Sequence, residues 1–110
     1  MKLISEIKPS IMLNCSILEA MDKIMNAISS DEQVNDLSRD DANQEIRGIW
    51  NLKSNKAFGG EGFLIRYSFV ESESGNTIVT ATGYRENGKQ DFIEIFGMYE
   101  KIMRRPFNKI

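Results

Sequence analysis

From Glu61 to Arg85 the chain alternates with a regularity that few folds can absorb. Phe63, Ile65, Tyr67 and Phe69 stand at every second position, and beyond the turn residues SESGN the stretch NTIVTATGYR returns in the same style. A period of two places such residues on one side of an extended backbone, and aromatic and β-branched side chains suit a half-buried pleated surface. Two long antiparallel strands, Glu61 to Glu71 and Asn76 to Arg85, are therefore expected as a hairpin. The aromatic stripe reads as the buried face of a sheet, where each residue contributes on the order of 1.5–3 kcal/mol. A lone hairpin cannot bury such a face, so the rest of the chain has to supply a cover.

That cover is legible upstream. Ile17, Met21, Ile24 and Ile28 recur at helical spacing, Leu18 and Met25 widen the stripe, and Glu19, Asp22, Lys23 and Asn26 supply the wet side. Ser16 followed by Glu19 has capping-box spacing, and the helix is expected to end near Ser29 or Ser30. A short strand around Val34 to Ser38, a turn on Arg39 to Asn43 and a strand from Gln44 to Leu52 follow. In the last of these Ile46, Trp50 and Leu52 share a face with Gly48 between them, while Glu45, Arg47 and Asn51 point the other way. KLISEIK alternates loosely and precedes Pro9, as a first strand does when it ends or lies at a sheet edge. Near the C-terminus Phe92, Ile95, Phe96, Tyr99, Ile102 and Met103 fit a second helix that Pro106 stops, with Gly97 costing about 1 kcal/mol relative to alanine. The expected fold is α+β: a curved antiparallel sheet of about five strands with two helices packed on one face, in the order β-α-β-β-β-β-α.

This element order resembles the layout of the TATA-binding-protein repeat and, more loosely, of the START-type helix-grip proteins, in which a curved antiparallel sheet packs against helices on one side. The resemblance spans nearly the whole chain and rests on element order, with no diagnostic motif. The helix-grip likeness implies an apolar ligand or lipid pocket between the sheet and the C-terminal helix, lined here by Trp50, Phe63, Tyr67 and Phe96. The TATA-binding likeness implies a concave face for DNA, yet the candidate strands carry Glu45, Arg47, Glu61, Arg66, Glu71, Glu73 and Arg85, a mixture of signs that suits DNA poorly.

Other chemistry finds little support. With 110 residues the chain is one domain, residues 1–110, and with no histidine and a single cysteine, Cys15, it lacks the usual parts of a zinc site or of a histidine-based hydrolase. The glycines of GGEGFLIRY lead into a strand, whereas a phosphate loop leads into a helix. The segment also has Glu61 where an RNA-binding strand motif carries a basic residue. The acidic group Asp36, Asp40, Asp41, Asn43 and Glu45 lacks the spacing of a calcium loop. No catalytic residue, metal or cofactor is expected. No apolar run approaches the ~20 residues of a membrane span, and a cytoplasmic location is the expectation.

One basic cluster, KIMRRPFNKI, remains. It reads as a mobile tail from about residue 104, with Arg104, Arg105 and Phe107 as candidate partner contacts and Phe107 and Ile110 able to dock on the domain or a second subunit. The functional expectation is a non-enzymatic protein-interaction module, self-associating or bound to another protein. A small apolar-ligand or lipid-binding domain is the alternative. Nucleic-acid binding is a weaker one, given a net charge of -2.

Overall fold

The computed structural model describes residues 2–3, 8–50, 63–85 and 98–110. The elements are β1 (Lys2–Leu3), β2 (Ser10–Leu13), α1 (Ile17–Ser29), β3 (Val34–Asp40), β4 (Glu45–Trp50), β5 (Phe63–Glu71), β6 (Thr77–Arg85) and α2 (Met98–Met103), followed by a 3-10 turn at Phe107–Lys109. Every pairing is antiparallel, and β1 and β2 both pair with β6 on the side away from β5. Six strand segments thus fill five positions of one open sheet, in the order β1/β2-β6-β5-β4-β3. The α+β class and the element order match the expectation from sequence.

One edge differs in detail. Alternation gives no strand at Ser10–Leu13, but pairing continues past Pro9, whose carbonyl accepts from the Ala81 N–H at 2.8 Å. Proline lacks only the donor, so its carbonyl still joins the β6 ladder while the return bond to the Ala81 carbonyl is given up. The opposite edge, β3, is irregular too: its register with β4 shifts between Asn35 and Ser38, and Asp36 there has φ 50. Such a bulge twists a strand edge and interrupts its row of free backbone groups.

The alternating residues of the hairpin do face the cover. Phe63, Ile65, Tyr67 and Phe69 of β5, Ile46 and Trp50 of β4, and Val79 and Ala81 of β6 are buried with Ala20, Met21, Ile24 and Ile28 of α1. Tyr99, Ile102 and Met103 of α2 and Phe107 beyond it complete this core. Leu18, expected to widen the helical stripe, is instead 60% exposed, one position off the buried face. Thr77 is buried in the sheet and donates its hydroxyl proton to the Cys15 carbonyl at 2.8 Å, which fixes the entry to α1 on β6.

Ser16 caps α1, its side-chain oxygen accepting from the Glu19 N–H at 3.2 Å. Ser16→Ala leaves that N–H without its protein acceptor and is expected to cost about 1 kcal/mol, read as a lower urea midpoint at unchanged slope. Just past α2 the Arg104 guanidinium reaches back to Glu100 at 3.1 Å. The expected extent of this helix before Met98 lies outside the described residues.

Gly48 sits where a side chain would not fit. A Cβ built there would lie 2.8 Å from the Trp50 ring and 3.1 Å from Val34. The indole therefore lies back along its own strand, over the space a side chain at position 48 would fill.

Candidate interaction surface

Several residues singled out from sequence converge at one end of the core, around a residue that was not. Asp31 follows α1 directly; its carboxylate accepts from the Gln33 N–H at 3.0 Å, the Trp50 indole N–H at 3.2 Å and the Arg105 guanidinium at 3.3 Å. Arg105 also donates to the Gln33 side-chain oxygen at 2.7 Å. Burial pushes the Asp31 carboxyl up, but the hydrogen bonds from Gln33, Trp50 and Arg105, with the Arg105 charge, outweigh it and hold the group below its ordinary value. Next to this network the Tyr67 hydroxyl donates to the Met103 carbonyl at 2.8 Å, and the Tyr67 ring meets Phe107 edge-on at 5.8 Å. Burial, reinforced by the Asp31 charge and partly offset by Arg105, pushes the Tyr67 phenol far up, so it stays neutral and serves as a donor.

Trp50, Phe63 and Tyr67, the expected ligand-lining residues, are each almost fully buried and packed on other core side chains. The Phe63 ring lies edge-on to Tyr99 at 4.3 Å, and Trp50 lies 6.3 Å from Tyr67. Phe96 lies outside the described residues. Of the expected partner contacts, Arg105 is turned inward to Asp31, Phe107 is buried against Tyr67, and Arg104 is held by Glu100. The tail read as mobile is docked: Lys109 donates to the Ala27 carbonyl and to Ser30 at 3.3 Å each, placing a cation at the C-terminus of α1. Sequence spacing could not have announced this cluster, because Asp31 meets Trp50 and Arg105 across separations of 19 and 74 residues.

Two open grooves lie elsewhere. One, of about 390 Å³, runs along the α1 entrance past Asn14, Cys15 and Leu18 to Glu71 and Asn76. The other, of about 500 Å³, lies between Lys23, Asn26, Ser30 and the C-terminal Lys109 and Ile110. Neither gathers groups suited to catalysis. Among the described residues no three histidine, cysteine, aspartate or glutamate side chains gather to hold a metal, and no helix is long and apolar enough to cross a membrane.

The other large surface is the second face of the sheet. Both helices contribute to the core on the first face, and among the described residues no helix covers the second. Directly paired residues share a face, so the strand registers arrange this side into four rows across the strands. Met12, Ile78 and Val70 form the first. Ser10, Thr80, Ser68, Glu45 and Asp40 form the second. Thr82, Arg66, Arg47 and Ser38 form the third, and Tyr84, Leu64, Ile49 and Asn35 the fourth. The order is apolar, hydroxylic and acidic, hydroxylic and basic, then mainly apolar.

Within the middle rows Glu45 is shared by two arginines, 3.3 Å from the Arg47 Nε and 3.5 Å from the Arg66 Nε. Arg66 also lies over the Tyr84 ring, 5.4 Å from its centroid. Its Nε is buried, and despite the nearby carboxylate it makes no hydrogen bond. Two apolar side chains of the first row are conspicuously wet, Val70 at 60% and Met12 at 54%.

Comparison with known proteins adds no assignment: no protein-family model matches the chain, and no curated protein matches it at significant similarity.

Proposed function

We propose that this domain is a non-enzymatic protein-interaction module that engages its partner through the face of the sheet that no described helix covers. The observation that carries the proposal is the apolar row Met12, Ile78 and Val70, in which Met12 and Val70 are exposed and Ile78 is half-buried, beside ordered polar rows on that face. Exposed apolar side chains gathered into a contiguous row, flanked by polar groups, are what a protein contact surface requires. Arg47 and Arg66 are offset by Glu45 and Asp40, so the face lacks the positive excess that phosphate backbones select. The closest approach to chemistry in the fold, the Asp31, Trp50, Tyr67 and Arg105 cluster, is committed to holding the chain end in place.

Photo-cross-linking tests the proposal in cells. A photoreactive residue at Thr80, in the second row of the open face, is expected to capture a protein, and the same residue at Lys23 on the wet side of α1 is not. Capture of nothing at Thr80 would overturn the proposal. So would turnover of ester, phosphate or glycoside substrates by the purified protein that a single substitution abolishes.

A further inference from the structure

Resting on that assignment of the open face, the order of its rows specifies the partner: we infer that it is a second copy of this chain, packed face to face about a two-fold axis lying between the two sheets and running across the strands. Rotation about such an axis lays each strand along its own copy in the reverse direction. It therefore exchanges the first row with the fourth and the second with the third.

Each exchange brings complementary groups together. On β5, Val70 of one copy meets Leu64 of the other; on β6, Ile78 meets Tyr84 and Thr80 meets Thr82. On β4, Glu45 meets Arg47 of the second copy, and by symmetry the pair occurs twice. The Ser68 hydroxyl comes over the Arg66 side chain, which is 36% exposed. Sheet twist relaxes the match toward the edges, so the central β5 and its two neighbours carry it. The alternative two-fold, along the strands, lays like rows on like rows and leaves the acidic and basic rows unmatched.

The five strand positions run from six to nine residues, and at ~4.8 Å between strands and ~3.4 Å per residue they give a face of about 600 Å² per copy, of which β4, β5 and β6 supply about 400 Å², the size of a weak, reversible interface.

Charge reversal in separate copies tests the register. The unmodified protein is expected to sediment as a dimer at micromolar concentration. Glu45→Arg alone and Arg47→Glu alone each place like charges opposite one another at both symmetric contacts, and each is expected to weaken self-association ~10-fold or more. Mixed in equal amounts, the two variants form pairs in which one copy is basic at both positions and the other acidic at both, so each contact again joins opposite charges. The mixture is expected to recover association to within about threefold of the unmodified protein.

Circular dichroism verifies that both variants are folded. Should either not fold, the register is read instead in a Cys15→Ser background, by mixing Val70→Cys and Leu64→Cys chains with a thiol cross-linker of ~10 Å span, about the spacing of stacked sheets. The mixture is expected to cross-link efficiently and each variant alone poorly. A monomeric unmodified protein, a mixture that associates no better than its components, or cross-linking of Val70→Cys to itself would overturn the two-fold pairing. If the purified protein is monomeric while Thr80 captures a different protein in cells, the self-pairing falls and the interaction module stands. If Thr80 also captures nothing, both fall.

Discussion

Trp50→Ala is expected to lower the free energy of unfolding by about 3–5 kcal/mol, a large part of the ~5–15 kcal/mol that holds a domain of this kind together. Three losses combine at this position. The indole is 1% exposed and fills the space over Gly48, so its removal opens a cavity against a glycine that has no side chain to close it. The ring also abuts Tyr67, whose own ring meets Phe107, so the gap sits beside the docked chain end. Finally, the indole N–H is one of the three donors that make Asp31 tolerable as a buried charge. Trp50→Phe separates these losses: it retains most of the packing, removes the donor, and is expected to cost about 1–2 kcal/mol. Urea unfolding followed by circular dichroism measures both, since the chain has no other tryptophan to report by fluorescence. Equal costs for the two variants would assign the effect to the hydrogen bond and contradict the packing account.

Asp31→Ala is expected to cost about 3 kcal/mol at neutral pH, because it leaves the Trp50 N–H without its acceptor and takes from the Arg105 guanidinium its counter-charge, leaving it only Gln33. The Asp31 side chain is only 11% exposed, so water compensates poorly. The effect has a characteristic pH dependence. The carboxyl titrates below its ordinary value of 3.8 in the folded protein, so its contribution is complete above that value and disappears as the pH falls through the folded pKa. The difference in urea midpoint between the natural protein and Asp31→Asn is therefore expected to be constant above about pH 5 and to shrink toward acid. A difference that held constant down to about pH 2, or grew toward acid, would contradict the placement of the charge.

Periodicity carried the architecture and stopped where contacts became long-range. The β5 stripe, the α1 stripe and the Ser16 cap were legible because each signal lies within a few residues of its consequence. Leu18 was misplaced by a single helical position, which spacing resolves poorly when an adjacent residue, here Ile17, is apolar as well. Ser10–Leu13 was hidden by Pro9, since the absence of an N–H reads as a break while the carbonyl still pairs. Asp31 and Gln33 look like ordinary residues after a helix, and only the approach of Arg105 from the far end of the chain gives them a role. The open face is an intermediate case. Glu45 and Arg47 were visibly on the wet side of a strand, but the rows depend on register, which the hairpin turn and the β3 bulge set. These positions could be read; the order of the face across the sheet could not.

The irregular sheet edges determine how any assembly of copies ends. A strand edge that pairs with a copy's edge leaves a fresh edge behind, and growth by that route continues into filaments. Here one edge is split into pieces of two and four residues and the other is bulged at Asp36, so neither is a good template for the next chain. Contact through the sheet face about a two-fold consumes the available surface in a single event. The same bulge that spoils the β3 ladder thus acts as a stop: a chain with Met12 and Val70 exposed on its sheet face is guarded against edge-to-edge growth into a fibre.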